Sequence, residues 1–358
     1  RCRETSFRRP LGALIVTPSI AAEVCLYALT FRRVELSMAH HCISHIKDVD
    51  GISSAALVVA AKGGTFRLTD YDDLLDEMDD VPASATGVTI CDLGTNASNF
   101  PEFVGKLAGL AKRMPVTYID HHYLTDDAKL EILNAGVELH HDVRDCASML
   151  TYLTYKGSLP EGARLLALYG AVTDYMDTSV NANRMMETFD RQFVLLECTL
   201  LAYALAKNGR DYAYPEMLVK ELAAMKAPHA IDDVGGDALE QAEVVRRLAD
   251  EVKSKGTRLG RLAYMKTEQS STGNVAKLLL GAFGVSVGVA YKEKPGGTAE
   301  LSLRGTSESK VHLGKEIGVI AQKHGGSGGG HEKAAGCSVP NSEVQGLLAD
   351  LESVLEEA

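Results

Sequence analysis

Residues 43–55, Ile-Ser-His-Ile-Lys-Asp-Val-Asp-Gly-Ile-Ser-Ser-Ala, crowd three metal-type ligands, His45, Asp48 and Asp50, into six positions. Two carboxylates that close repel each other unless cations lie between them, so the spacing points to divalent-ion chemistry. A calcium-binding EF-hand loop would need an oxygen ligand at Ile46 and a glutamate at Leu57, and the chain has neither. Three further patches carry the same residue types: Asp92, the run Asp120-His121-His122, and Asp174. Carboxylate and imidazole donors without thiolate suit manganese or magnesium better than structural zinc. They are too many anionic oxygens for one ion. Two ions bridged by one carboxylate would use them all and would suit in-line displacement at phosphorus.

The elements that must bring these patches together are short apolar strands alternating with helices. Strands are predicted at 40–44, 65–69, 88–93, 116–120 and 137–140, and helices at 52–62, 71–78, 100–114, 126–135, 147–155 and 162–176. The first helix is expected to begin at Ser53-Ser54, after a tight turn at Gly51. Such alternation predicts an α/β fold with a parallel sheet and helices on both faces. In these sheets ligands gather at the carboxyl ends of strands, where residues 45–50, 92 and 120–122 all fall. Helical patterns at 186–207, 214–224 and 237–254 predict a connector. A smaller α/β unit follows from Arg258, with strands at 261–266, 285–291 and 300–304, helices at 274–282, 313–323 and 342–357, and a glycine-rich run at 325–330. The expected division is therefore a metal-binding domain over 38–180, a helical connector over 181–257 and a second domain over 258–358.

With 358 residues the chain has room for two domains. Its net charge of −11 disfavours general attraction to long nucleic acid, which depends on Lys and Arg neutralising phosphates. Seven cysteines are scattered without a C-x-x-C pair, which suits a reducing, cytoplasmic setting and argues against a disulfide frame or a thiolate zinc site. Residues 11–30 are fairly apolar between Arg8-Arg9 and Arg32-Arg33, in the manner of a signal anchor. Glu23 and Pro18 weaken that reading, because a charge at mid-bilayer costs about 2.5–3.5 kcal/mol. No stable membrane association is expected. Met38 stands just before the first convincing strand, so residues 1–37 read as an upstream extension of the reading frame or a poorly packed appendage.

The blocks Ser44-His45-Ile46-Lys47-Asp48-Val49-Asp50-Gly51, Ile90-Cys91-Asp92, Tyr118-Ile119-Asp120-His121-His122 and Gly170-Ala171-Val172-Thr173-Asp174 resemble, in order, the four motifs of the DHH phosphoesterase superfamily. Gly328-Gly329-Gly330-His331-Glu332-Lys333-Ala334-Ala335-Gly336 resembles the G-G-G-H-x-x-A-A-G motif of its DHHA1 substrate domain, and Leu301-Ser302-Leu303-Arg304 that domain's arginine-bearing strand. A bare D-H-H arises often by chance; five motifs in order do not. The resemblance implies one ion held by His45, Asp48 and Asp92, and a second held by Asp50, Asp92, His121 and Asp174, with Asp92 bridging. It implies that Asp120 orients His121, and that His122 faces the reacting phosphate as a charge stabiliser or proton donor. One departure is that His45 precedes Asp48 by three residues, where many relatives that hydrolyse small nucleotides space the pair by four. Arg304 offers a planar fork for a phosphate, and Gly328, Gly329, Gly330 and His331, leading into an expected helix start at Ala334-Ala335-Gly336, read as a cradle for a terminal phosphate or nucleotide.

The expected activity is a two-manganese phosphodiesterase that degrades short oligonucleotides to mononucleotides, with magnesium as an alternative ion and a homodimer allowed. Rival readings in the same class are a RecJ-like single-strand exonuclease, a phosphatase for 3′-phosphoadenosine 5′-phosphate and a cyclic-dinucleotide phosphodiesterase. From another class comes a non-catalytic replication or repair scaffold, though this chain keeps every candidate ligand. His140-His141 read as surface histidines, Cys91 as core, Asp177 as either a helix cap or an indirect support, and the acidic run from Asp70 to Asp80 as a solvated helix face.

Overall fold

Five strands build the first sheet, the central three with side chains that alternate between two buried layers. The computed structural model describes residues 39–95, 98–209, 211–269, 271–330 and 332–357, so residues 1–37 and His331 lie outside the described residues. The described residues fall into two compact units, divided between Leu239 and Glu240.

In the first unit the order is β1 (His41–His45), α1 (Val49–Lys62), β2 (Thr65–Thr69), α2 (Leu74–Asp79), β3 (Val88–Cys91), α3 (Phe100–Ala111), β4 (Val116–Asp120), α4 (Asp126–Asn134) and β5 (Glu138–His141). The strands lie in the order β2-β1-β3-β4-β5, every pair parallel. Cys42, Cys91 and Ile119 face one helical layer, while Ile43, Ile90 and Tyr118 face the other. That two-residue alternation, apolar on both faces, is what a covered parallel sheet requires. The chain leaves β1 one way to reach β2 and the other way to reach β3. The β1/β3 pair is therefore the topological switch point, where ligands of such sheets bind.

Helices α5 (Ala147–Tyr155), α6 (Ala163–Thr173), α7 (Val180–Met186), α8 (Arg191–Asn208) and α9 (Ala213–Ala223) complete this unit. Much of the segment expected as a helical connector, 181–257, packs into this unit. Met186, Val194, Cys198, Leu201, Leu218 and Val219 share one core with Cys42 and Ile46. The reason is α1, whose residues 49–58 are all buried, so it needs helices on every side that the sheet leaves open. The helix expected at 186–207 starts five residues later, at Arg191, because Asp190 caps it, its carboxylate accepting a hydrogen bond from Phe193 N at 2.7 Å.

Helix α10 (Val234–Lys255) contains the boundary between the units. The second unit continues with β6 (Thr257–Leu259), β7 (Leu262–Lys266), α11 (Thr272–Phe283), β8 (Val287–Glu293), β9 (Thr298–Gly305), α12 (Leu313–Lys323), β10 (Ser327–Gly330), β11 (Ala334–Pro340) and α13 (Val344–Glu357). Its sheet runs β10-β11-β9-β8-β7-β6, antiparallel except for β7 with β8. Leu279 and Val275 of α11 pack with Ala263, while Ile317 of α12 and Leu348 of α13 pack with Leu301 and Leu303.

One expectation is corrected here. The glycine run is an edge strand, and Ala334-Ala335-Gly336 opens a strand rather than a helix, with Gly329 opposite Gly336. Close packing explains the glycines: a Cβ on Gly314 of α12 would lie 1.9 Å from Gly330 O, and one on Gly328 would lie 2.6 Å from Cys337 Cβ. Among the described residues no helix is long and apolar enough to cross a membrane.

Candidate metal centre

The carboxyl end of β1 delivers three ligands through one joint. Helix α1 begins at Val49, four residues earlier than its sequence predicts, because Asp48 caps it: the carboxylate accepts from Gly51 N at 2.9 Å. The expected turn at Gly51 is thus the first helical turn. Glycine is needed there because a Cβ would lie 2.3 Å from His45 O, so the helix starts hard against the strand end. On this joint His45 Nδ1 lies 2.8 Å from Asp48 Oδ2. Asp50 points the other way, buried, and accepts from Ala147 N at 2.8 Å and Ser148 N at 2.9 Å at the start of α5. Room for it comes from Gly170 of α6, where a Cβ would lie 2.2 Å from Asp50 Oδ1.

Asp92 follows β3 with φ 57°, a left-handed backbone that costs a non-glycine residue on the order of 1–3 kcal/mol. Its Oδ2 lies 3.6 Å from His45 Nδ1 and its Oδ1 3.3 Å from His121 Nε2. His121 Nε2 is also 3.9 Å from Asp50 Oδ2 and 3.7 Å from Asp174 Oδ2, the latter at the end of α6. Two triads result, His45/Asp48/Asp92 and Asp50/His121/Asp174, each with ligand atoms within 4.8 Å of one another, and Asp92 also groups with His121 and His122. All six residues expected to bind metal therefore meet at the switch point.

The donors fit divalent cations. Burial would lower the His45 pKa, but Asp48, Asp70 and Asp92 override it and push the imidazole up to about 12. Burial likewise opposes, and Asp92, Asp50 and Asp174 outweigh it, in raising His121 to about 10. Burial, then the charges of Asp48 and Asp50, lift Asp92 to about 6; burial and Asp50 lift Asp174 to about 7. Imidazoles that hold protons and carboxylates that resist losing them are both signs of too little positive charge. Among the described residues, Asp92 Oδ2 and His45 Nε2 are also buried without a hydrogen-bond partner. Divalent ions would relieve every one of these strains.

Asp120 does not orient His121, as the resemblance implied. Its Oδ1 pairs with His122 Nδ1 at 2.8 Å, and its Oδ2 accepts from Tyr118 OH at 3.1 Å. Burial would raise the carboxyl, yet the His122 hydrogen bond and charge hold it below the usual range. The same pairing raises His122 against the pull of burial. Three neighbours escaped the sequence reading. Tyr71 OH lies 3.2 Å from His122 Nε2, and its ring stacks 4.7 Å from that of His45. Asp70, expected on a solvated face, directly follows β2 and has Oδ1 3.7 Å from His45 Nε2. His141, expected at the surface, places Nε2 2.6 Å from His122 O at the end of β5. Only the strand-end rule could have found Asp70 and His141. Asp177 lies 3.3 Å from Arg191 Nη2, an ion-pair role.

In the second unit Arg304 ends β9 over the first turn of α11: a Cβ on Gly273 would lie 2.6 Å from Arg304 Nη2, and Arg304 Nη1 donates to Leu303 O at 2.9 Å. Its register partner on β11 is Ala334, four positions after Gly330. Gly329 has open space where its Cβ would be.

Residues 260–357 match the family model described as the DHHA1 domain. No curated protein matches the chain in sequence. Among solved structures the chain is similar to a DHH domain described as a member of the s1p family of ribosomal proteins (15% identity, 96% of this chain and 94% of that one, TM-score 0.66). It is similar to the pGpG-specific phosphodiesterase PggH from Vibrio cholerae (15% identity, 89% and 99%, TM-score 0.53). It is also similar to RecJ from Thermus thermophilus in complex with Mn2+ (15% identity, 98% of this chain but 56% of that one, TM-score 0.59). A DHHA1 domain over residues 260–357 thus follows an amino-terminal unit whose fold is similar to that of DHH-domain structures.

Proposed function

We propose that the protein is a two-metal phosphodiesterase, with manganese as its preferred ion, that hydrolyses short oligonucleotides to mononucleotides. The observation that carries this reading is the pair of triads, drawn from four separate chain segments and joined where Asp92 meets His121 at 3.3 Å. One ion would be held by His45, Asp48 and Asp92, the other by Asp50, His121 and Asp174 with Asp92 shared. When bound, such ions polarise the phosphoryl group, favour ionised water and neutralise developing charge.

The chain's own residues supply the rest. Asp120 fixes the His122 ring through Nδ1 and keeps it protonated, so Nε2 can give its proton to the departing nucleoside oxygen as the P–O bond breaks. Water adds its oxygen to phosphorus, and the products are a phosphate monoester and an alcohol. Tyr71 bears on the same Nε2, and burial with the charges of Asp92 and Asp48 keeps its hydroxyl protonated. Arg304 and the main chain of Gly328, Gly329 and Gly330, with His331, are assigned to a phosphate or nucleotide of the substrate. Tyr123 and Tyr175 directly follow His122 and Asp174, are 75% and 73% exposed, and offer faces on which bases could stack. This favours nucleotides over bare polyphosphate. The similarity to a pGpG-specific phosphodiesterase agrees with a short substrate.

The test is purified protein against a dinucleotide, a long single strand, a cyclic dinucleotide and adenosine 3′,5′-bisphosphate, each with manganese, magnesium or chelator. The dinucleotide should be cleaved fastest, with manganese, and Asp92→Ala should abolish turnover. Preference for the long strand would favour the RecJ-like reading, and no turnover of any substrate would leave the scaffold reading.

A further inference from the structure

We propose that the second unit carries a separate anion site, for a small phosphate monoester, in a cavity walled by Arg258, Arg261, Ser286, Ser309 and Lys310. The cavity measures ≈ 330 Å³ and lies among the turn from β6 to β7, the end of α11, the start of β8 and the loop before α12. None of its residues belongs to the candidate metal centre or to the Arg304 and glycine-strand region.

Charge is the first argument. Arg258, Arg261 and Lys310 face the cavity, and among the described residues Glu308 is its one acidic lining residue. Among the described residues none of these three cations makes an ion pair, in a chain whose net charge is −11. Arg258 Nη1 donates to Phe283 O at 3.5 Å and Arg261 Nη1 to Leu355 O at 2.8 Å. These bonds fix the guanidinium groups without neutralising them. Glu352, behind the wall, accepts the Arg261 main-chain N–H at 2.8 Å. Three like charges held around one space repel unless an anion sits among them.

The second argument is unsatisfied hydrogen bonding. Ser309, which lines the cavity, is buried at 6% exposure, and among the described residues its Oγ has no partner. Buried hydroxyls are almost always paired, so an orphan on the cavity wall is placed to meet something. Guanidinium forks and hydroxyls together suit a tetrahedral dianion. The volume falls at the small end of ligand pockets, enough for a phosphate with a pentose-sized body.

The test is calorimetric titration of the full chain in chelator at fixed ionic strength, so that binding through a divalent ion is removed. The probes are ribose 5-phosphate, inorganic phosphate and ribose. Ribose 5-phosphate should bind saturably and more tightly than inorganic phosphate, and ribose should give no heat. Lys310 is exposed, so Lys310→Glu should fold and weaken binding by about tenfold or more, the loss expected when an attraction to a dianion becomes a repulsion. Lys310→Arg should retain binding, and Lys310→Glu should cost as much in an Arg304→Gln background, where the substrate region no longer contributes to the heat. Absence of saturable heat with ribose 5-phosphate, equal binding of ribose, or a loss caused by Arg304→Gln but not by Lys310→Glu would each overturn the proposal.

Discussion

Asp92→Asn should make the ion-free protein more stable and the ion-loaded protein less so. Burial and the charges of Asp48 and Asp50 hold the Asp92 carboxyl at about 6 instead of 3.8. For an acid raised on folding, the destabilisation builds as pH climbs from the unfolded value to the folded one and is fully present at pH 7.5 and above. Keeping that charge buried costs on the order of 3 kcal/mol. Asparagine has the same shape, carries no charge, and tolerates the left-handed backbone that Asp92 adopts at φ 57°. In chelator at pH 7.5 the variant should therefore melt roughly 6–12 °C above the wild type, taking roughly 2–4 °C per kcal/mol for a domain of this size. Added manganese should stabilise the wild type strongly and the variant little, so the two melting curves exchange order. If Asp92→Asn lowers the melting temperature in chelator, or if manganese lifts both proteins equally, the crowded-carboxylate account is refuted.

Tyr71→Phe removes the hydroxyl 3.2 Å from His122 Nε2, a hydrogen bond worth about 1 kcal/mol. Turnover of a dinucleotide should fall several-fold while manganese affinity, read by calorimetry, stays put. Gly170→Ala would push a methyl to 2.1 Å from Ser148 Oγ and 2.2 Å from Asp50 Oδ1, so denaturant unfolding should show a loss of about 1–3 kcal/mol from overpacking. His324 lies 2.7 Å from Glu343 Oε2 and 2.9 Å from Asp350 Oδ2, which raise its pKa. A raised imidazole contributes stability that is full below its unfolded value and is lost as pH rises through its folded value. Melting of His324→Gln should thus fall below wild type at pH 5.5 and converge with it at pH 9.

The ligands were legible because chemistry fixes their types and a parallel sheet fixes their place: every candidate metal ligand lies at or just past a strand end or, for Asp174, at a helix end. Strand β4 and helices α5 and α12 have the bounds their patterns predict, since their apolar residues alternate cleanly between punctuating turns. What could not be read depends on direction. Asp120 and His121 are neighbours, so only coordinates show that the carboxylate turns back to His122. Tyr71 and His141 have no spacing that marks them, and reach the site only because β2 and β5 flank the ligand-bearing strands. The glycine run misled because glycine suits a loose loop and a tightly packed strand equally well; what distinguishes them is α12 lying against β10, a contact no local pattern encodes.

That strand has a practical consequence for dissecting the protein. Over Gly328, Gly329 and Gly330 there is no side chain to truncate, so an alanine scan would subtract nothing and could only add atoms. Added atoms collide at Gly328 and at Gly330, where a Cβ would lie 2.6 Å from Ala334 O, and those variants would report misfolding. Gly329 alone has clearance, which makes a bulky replacement there the clean probe of whether anything docks along this stretch of bare peptide.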